Sequence, residues 1–246
     1  MDEKWSFVAK KERHCDWEAD EEDMLRGDQW DFVALDPDSR LVLGVLVGKR
    51  LQDNAVLLLE DVKKRLGGRA PELITSDEWP GYPEAIKQVF GVEVMPPRTG
   101  KPGRPAGPRL EAPEGLNHAT VHKAREKGRV VSVATRVVLG LLGAVLGLLG
   151  GREVSTSYVE RQNGTDRQRN ARKARRTYRF SKDYEAHEAL SYFTMYSYNF
   201  CWPVRTLRKR THKRRYEART PAMAAGLTDH VWSLAEWITF PACQRA

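Results

Sequence analysis

The hydrophobic period of this chain first changes after residue 48, and that change limits the folds open to it. Before it, the apolar residues follow strand patterns: DEKWSFVAK (2–10) with Trp5, Phe7 and Val8, then QWDFVALD (29–36) and LVLGVLVG (41–48). Pro37-Asp38-Ser39 supplies a turn between the second and third runs, and the charged stretch 11–28 reads as the loop after the first. After it, the spacing is helical. Val56, Leu57, Leu59, Val62 and Leu66 share one face, with Asp53 as the N-cap and Gly67-Gly68 as the stop. ELITSD (72–77) is a short strand, WPGYPEAIKQVF (79–90) a turn and helix, and VEVM (92–95) another strand. The expected fold is α/β: an antiparallel three-strand meander, then alternating helices and strands, in one mixed sheet of about five strands.

The second half is less periodic. Residues 96–115 are rich in Pro, Gly and Arg and read either as a solvated connector or as a loop along a phosphate backbone. His118 and His122, with Lys123 and Arg125 nearby, are expected to face solvent or phosphate. Residues 130–151 form the most apolar run, read as a strand followed by a short buried helix or turn. Its core from Val137 to Leu149 is short and Gly-rich, which excludes a membrane span. In 184–203, Leu190, Phe193, Tyr196 and Phe200 mark a core-facing helix. Residues 205–215 carry seven bases and no acid, as a disordered arm or a nucleic-acid contact. Thr228 or Asp229 is placed to cap a last amphipathic helix within 220–240. The reading divides the chain into a domain over 1–182 and a helical extension over 183–246.

Charge is unevenly placed. Residues 1–36 hold twelve acids and five bases, a net −7, so with +8 overall the remainder carries +15. Such a basic body suggests a polyanionic partner, most simply nucleic acid, against the plainer reading of a basic protein with no such partner. The 41% hydrophobic content and seven Trp argue against disorder. Cys15, Cys201 and Cys243 are scattered free thiols, suited to a reducing, cytoplasmic setting. His14-Cys15 has the look of half a metal site but lacks a second pair. Asp2, Glu3 and Lys4 follow Met1 where a signal peptide would need an apolar core.

The basic stretch has one acid at its head. From Arg161 to Lys182 there are nine Lys or Arg and a single acid, Asp166, and Glu160 precedes them on an expected helix. At helical spacing Asn163, Gly164 and Arg167 lie on the face of Glu160, beside a surface suited to phosphates. Asp2 on the first strand and Asp77 at the tip of ELITSD are two further acids that an α/β sheet could bring towards Glu160. Carboxylates so spaced match the metal-binding arrangement of RNase H-like nucleases and retroviral integrases. Blander roles are open to each: Ser157 and Glu160 as a capping box, Asp77 as a loop-start acid, Asp2 as a solvated terminus. Asp36, at the end of its own strand, is the rival first ligand.

The segments DEKWSFV, TSDEWPGY, SYVERQNGTDRQRNARKARRTYRFSK, YSYNFC and TPAMAAGLTDHVWS together resemble transposases of IS-one-type bacterial insertion sequences, across nearly the whole chain. The resemblance implies an RNase H-like catalytic domain in which Asp2, Asp77 and Glu160 form a DDE triad holding two Mg²⁺ ions, with Mn²⁺ able to substitute. It implies hydrolysis of a DNA strand to a 3′-OH, then strand transfer into target DNA by a homo-oligomer. Asn163, Arg167, Arg169, Arg172, Lys173, Arg175, Arg176 and Lys182 become the expected DNA contacts. Two features depart from the family. The zinc-binding and helix-turn-helix region of full-length relatives has no counterpart here. The expectation is therefore a second-frame product that joins an upstream DNA-binding partner, or a truncated remnant. Val204 also stands where many members carry His. Two alternatives to the active enzyme are a catalytically silent DNA-binding remnant and a basic RNA- or ribosome-associated protein.

Overall fold

The computed structural model describes residues 1–97, 107–212 and 215–241. Strand alternation at the start of the chain becomes β1 (Asp2–Val8), β2 (Gly27–Leu35) and β3 (Val42–Gly48), neighbours in that order in one sheet. Along β1 the side chains of Lys4, Ser6 and Val8 are buried while Trp5 faces out, the two-residue period of a strand with one covered face. The loop 11–28 contains two short 3₁₀ turns, the second capped by the carboxylate of Asp20 and braced by Arg26. Asp36 is engaged in the turn that follows β2, where its carboxylate accepts from the Asp38 and Ser39 amides at 3.2 and 3.0 Å.

Next come α1 (Gln52–Arg65), β4 (Leu73–Ser76), α2 (Gly81–Phe90), β5 (Val92–Val94) and β6 (Arg109–Glu111). They are followed by β7 (Asn117–Glu126), β8 (Arg129–Leu139), α3 (Leu142–Leu149) and α4 (Ser157–Arg169). The chain ends with α5 (Tyr184–Cys201), β9 (Lys209–His212), β10 (Arg215–Glu217), α6 (Pro221–Ala224) and α7 (Leu234–Thr239). The class is mixed α/β. The strands, however, fall into four small sheets where one of about five strands was expected. β4 pairs in parallel with β7, which pairs antiparallel with β8, while β5–β6 and β9–β10 are separate antiparallel pairs.

Several local expectations change with the packing. The N-cap of α1 is Leu51, without a side-chain bond, and Asp53 lies in the first turn. Leu58 is buried on that helix and Leu57 is half exposed, because α1 turns Ala55, Leu58, Leu59 and Val62 inward. Gly67 and Gly68 do end it, at φ of 65° and 81°, a left-handed region that a Cβ disfavours. The helix read from Glu160 stops at Arg169; a 3₁₀ turn over Ala171–Lys173, capped by Asn170, carries the basic run onward. α3 buries only Val145 and Leu149. α7 is capped by Ser233, not Thr228 or Asp229. The arm 205–215 is ordered over 205–212 and at Arg215 by a 3₁₀ turn and the β9–β10 pair; Lys213 and Arg214 lie outside the described residues, as do 98–106 of the Pro-rich loop and Cys243.

By its contacts the chain divides into two units, one of Met1–Asp2 with Gly48–Ser157 and one of Glu3–Val47 with Tyr158–Ala246. In the first, Ala119 and Val121 of β7 meet Val145 and Leu149 of α3 and the following Val154. In the second, Val33, Val42 and Val45 of the sheet meet Val159 of α4 and Met195 and Tyr198 of α5. α5 also serves the outer edge of β3. The Asn199 amide both accepts from Val42 N–H and donates to Val42 C=O at 2.9 Å, and the Tyr196 hydroxyl accepts from Val45 N–H at 3.3 Å. These bonds satisfy backbone groups that an edge strand would otherwise leave open. No helix among the described residues is long and apolar enough to cross a membrane.

Candidate functional site

In the first unit, Asp2 opens β1 and Asp77 follows the last residue of β4. The Met1 nitrogen donates to the Thr75 carbonyl at 2.5 Å, which fixes the chain beside the end of β4. Asp2 and Asp77 are partly buried and offer carboxylate oxygens within 4.8 Å of each other. Two hard oxygen donors at that separation fit a divalent cation that keeps water and phosphate among its ligands. Glu160 belongs to the other unit, where it lies exposed in the first turn of α4.

The histidines of β7 have a role that the sequence reading did not foresee. Residues four apart on a strand share a face, and both side chains reach the tip that carries Asp77. His118 is fully buried and its Nε2 lies 2.9 Å from Ser76 Oγ, which in turn donates to the Asp77 carbonyl at 2.8 Å. With the serine proton on that carbonyl, the imidazole must donate Nε2–H, which sets its tautomer. Burial pushes the His118 pKa down to about 4, so the ring is neutral near pH 7. On the far side of Asp77, Glu78 and His122 meet at 2.7 Å near the surface. His118 therefore does not face solvent or phosphate as expected. The polar pattern of 117–126 conceals a strand.

The basic run of the second unit splits into a buried part and an exposed part. Lys173 is buried, with its ammonium 2.5 Å from Asp31 and 3.9 Å from Asp166. Lys4 of β1 contacts both of the same carboxylates, at 3.0 Å for Asp31 and in a short ion pair with Asp166. Two ammoniums and two carboxylates thus form a neutral buried cluster, completed by Thr194, which donates to Asp166 at 2.6 Å, and by Ser191 on Lys173. Burial works against every charge in it. For Asp31 the Lys173 and Lys4 ammoniums outweigh burial and hold the carboxyl well below the usual range; for Lys173 burial prevails and lowers the ammonium. Next to the cluster, His187 lies between Ser6 and Ser181, and burial lowers its pKa to about 4. Lys173, expected on the phosphate surface, is thus a structural cation.

The other expected contacts are distributed as follows. Asn163 is buried on the inner side of α4 while Glu160 is exposed, so the helical face predicted to join them is divided by packing. Arg169 donates to the Thr194 carbonyl at 3.2 Å and lies 4.6 Å from the Trp202 ring, docking α4 to α5. Arg167 and Arg172 are partly buried; Arg175, Arg176 and Lys182 are exposed. A cleft of about 780 Å³ opens here, lined by Trp5 and Phe7 of β1 together with residues 172–178 and Phe180. A smaller basic cleft of about 540 Å³ lies between Arg161, Arg205, Arg208 and Tyr216.

No protein-family model, curated protein or solved structure matches this chain.

Proposed function

We propose that this chain is the catalytic part of a DDE-type DNA transposase with an RNase H-like core. The observation that carries the reading is the approach of the Asp2 and Asp77 carboxylates to within 4.8 Å, at the start of β1 and just beyond β4. Asp2 and Asp77 would hold Mg²⁺, and the motif resemblance adds Glu160 as the third carboxylate. When bound, a pair of such ions supplies activation of an attacking oxygen and charge neutralisation on the leaving oxygen of a phosphodiester. The chain's own residues do the rest. His118, through Ser76, holds the backbone at Asp77. Arg175, Arg176 and Lys182 supply exposed cations for DNA phosphates, which set affinity and register without reading sequence. Water cuts the element end to a 3′-OH, and that hydroxyl attacks target DNA, with two chains holding two ends.

The test is nicking and strand transfer on labelled DNA with Mg²⁺ or Mn²⁺, comparing the chain with Asp77→Asn and Glu160→Gln. Metal-dependent cutting that both substitutions abolish is the expected result. A second reading is a DNA-binding remnant without catalysis, supported by a basic cleft whose residues all lie in the unit that lacks Asp2 and Asp77. DNA binding by all three proteins with cutting by none would establish that reading instead.

A further inference from the structure

The cleft of the second unit combines guanidinium groups with aromatic rings that its core does not use. Because Lys4, Ser6 and Val8 turn inward, β1 places Trp5 and Phe7 on its other face, with ring centroids 5.8 Å apart. The chain returns beside them: Val8 bridges to Ser181, Ala9 N–H donates to the Ser181 carbonyl at 2.8 Å, and the Phe180 ring packs 4.7 Å from Phe7. Tyr178 projects from the returning segment with 96% of its surface exposed, and Trp5 is 38% exposed. Single exposed aromatics are ordinary. Here, however, a ladder of three rings and a fourth free ring line one cleft with Arg175 and Arg176, and its volume suits a nucleotide-sized ligand.

Paired bases in a duplex have their faces covered by their neighbours, so exposed rings in a cationic cleft select unpaired ones. We propose that this cleft binds unpaired nucleotides, with a base stacked on the Tyr178 or Trp5 ring and flanking phosphates on Arg175 and Arg176. The proposal rests on the nucleic-acid reading above and adds that this surface holds a strand whose bases have left the duplex.

The experiment is fluorescence-anisotropy binding of the full chain to labelled oligothymidylate of about 15 nucleotides, one site size. A blunt duplex of equal length and an oligouridylate are run beside it. The variants are Tyr178→Ala, Tyr178→Phe and Trp5→Leu. Tyr178→Ala should weaken single-strand binding about fivefold or more, leave duplex binding within about twofold, and be rescued by Tyr178→Phe. Tyr178 is almost fully exposed, so its removal leaves the fold intact. Stronger binding of thymidylate than uridylate would assign the site to DNA, and equal binding would extend it to RNA. Single-strand affinity unchanged in both Tyr178→Ala and Trp5→Leu, or single-strand and duplex affinities falling together, would overturn the stacking site while leaving the nucleic-acid reading in place. Binding of neither ligand by the unaltered chain would overturn both.

Discussion

Replacing Lys173 with Met removes one ammonium from a cluster in which Lys4 and Lys173 face Asp31 and Asp166. Met preserves most of the volume, so the change isolates charge. Removing one partner of a buried pair costs about 3–5 kcal/mol because the remaining charge stays desolvated. Lys4 still contacts both carboxylates, which places the expected loss near the lower figure, about 3 kcal/mol. Urea unfolding followed by tryptophan fluorescence measures it, since Trp79 is the sole Trp of the first unit and the other six report on the second. With a urea dependence of about 1–3 kcal/mol per molar, the midpoint should fall by about 1–3 M. Adding Asp31→Asn restores neutrality by leaving the Lys4–Asp166 pair, so the double variant should be more stable than Lys173→Met alone. A midpoint shift below about 0.5 M, or a double variant less stable than the single one, would refute the reasoning. The pH dependence has a defined sign. Asp31 is depressed in the folded state, so its contribution is present above the ordinary carboxyl value of 3.8 and is lost as pH falls towards the lower native one. Loss of Lys173 raises that native value, and acid unfolding should begin at higher pH.

Other outcomes follow from the same structure. His118 is neutral when folded and titrates at about 4 against an ordinary 6.5, so the unfolded chain binds more protons between those values. The stability of its unit should fall by up to about 3 kcal/mol as pH drops through that window. Hydrogen exchange at β4 and β7 measures this, and His118→Gln should flatten it. Asp77→Asn should weaken Mn²⁺ binding, measured by titration calorimetry, by about tenfold or more, since a hard carboxylate donor is lost. Arg175→Ser and Arg176→Ser should each reduce the slope of log affinity for duplex DNA against log salt by about 1, with thermal stability unchanged. Gly67→Ala, at φ of 65°, should destabilise α1 by about 1 kcal/mol in thermal unfolding.

The strands β1–β3 and helices α1, α2, α4 and α5 were legible because period and turn residues act locally. The burial faces were not. α5 reads as a helix with Leu190, Phe193, Tyr196 and Phe200 inward, yet its most buried side chains include His187, Ser191, Thr194 and Asn199. Phe193 and Phe200 instead meet Trp237 and Trp232 of the C-terminal region, 5.2 and 4.8 Å away. A polar face can be buried only when partners distant in sequence satisfy it, and nothing in residues 184–203 announces Lys173 or Asp166. For the same reason a basic run reads uniformly as surface although one of its lysines is a core cation. Asp77 was legible as a strand-tip acid, while the His118 brace was hidden in a strand whose polar and ionic side chains mask its two-residue period.

The second unit is assembled from both ends of the chain, with 110 residues between Val47 and Tyr158. At roughly 5–20 residues per second, synthesis of that interval takes roughly 5–20 s. Throughout it, β1 and β2 exist without the helices that cover them, and the Lys4 and Asp31 charges remain hydrated beside an open sheet. The ion cluster closes only when residues 166, 173 and 194 have emerged, making it a late contact of long sequence separation. During translation the sheet of β1 and β2 therefore stays uncovered until residues 158 onward emerge, and the cluster cannot form before them.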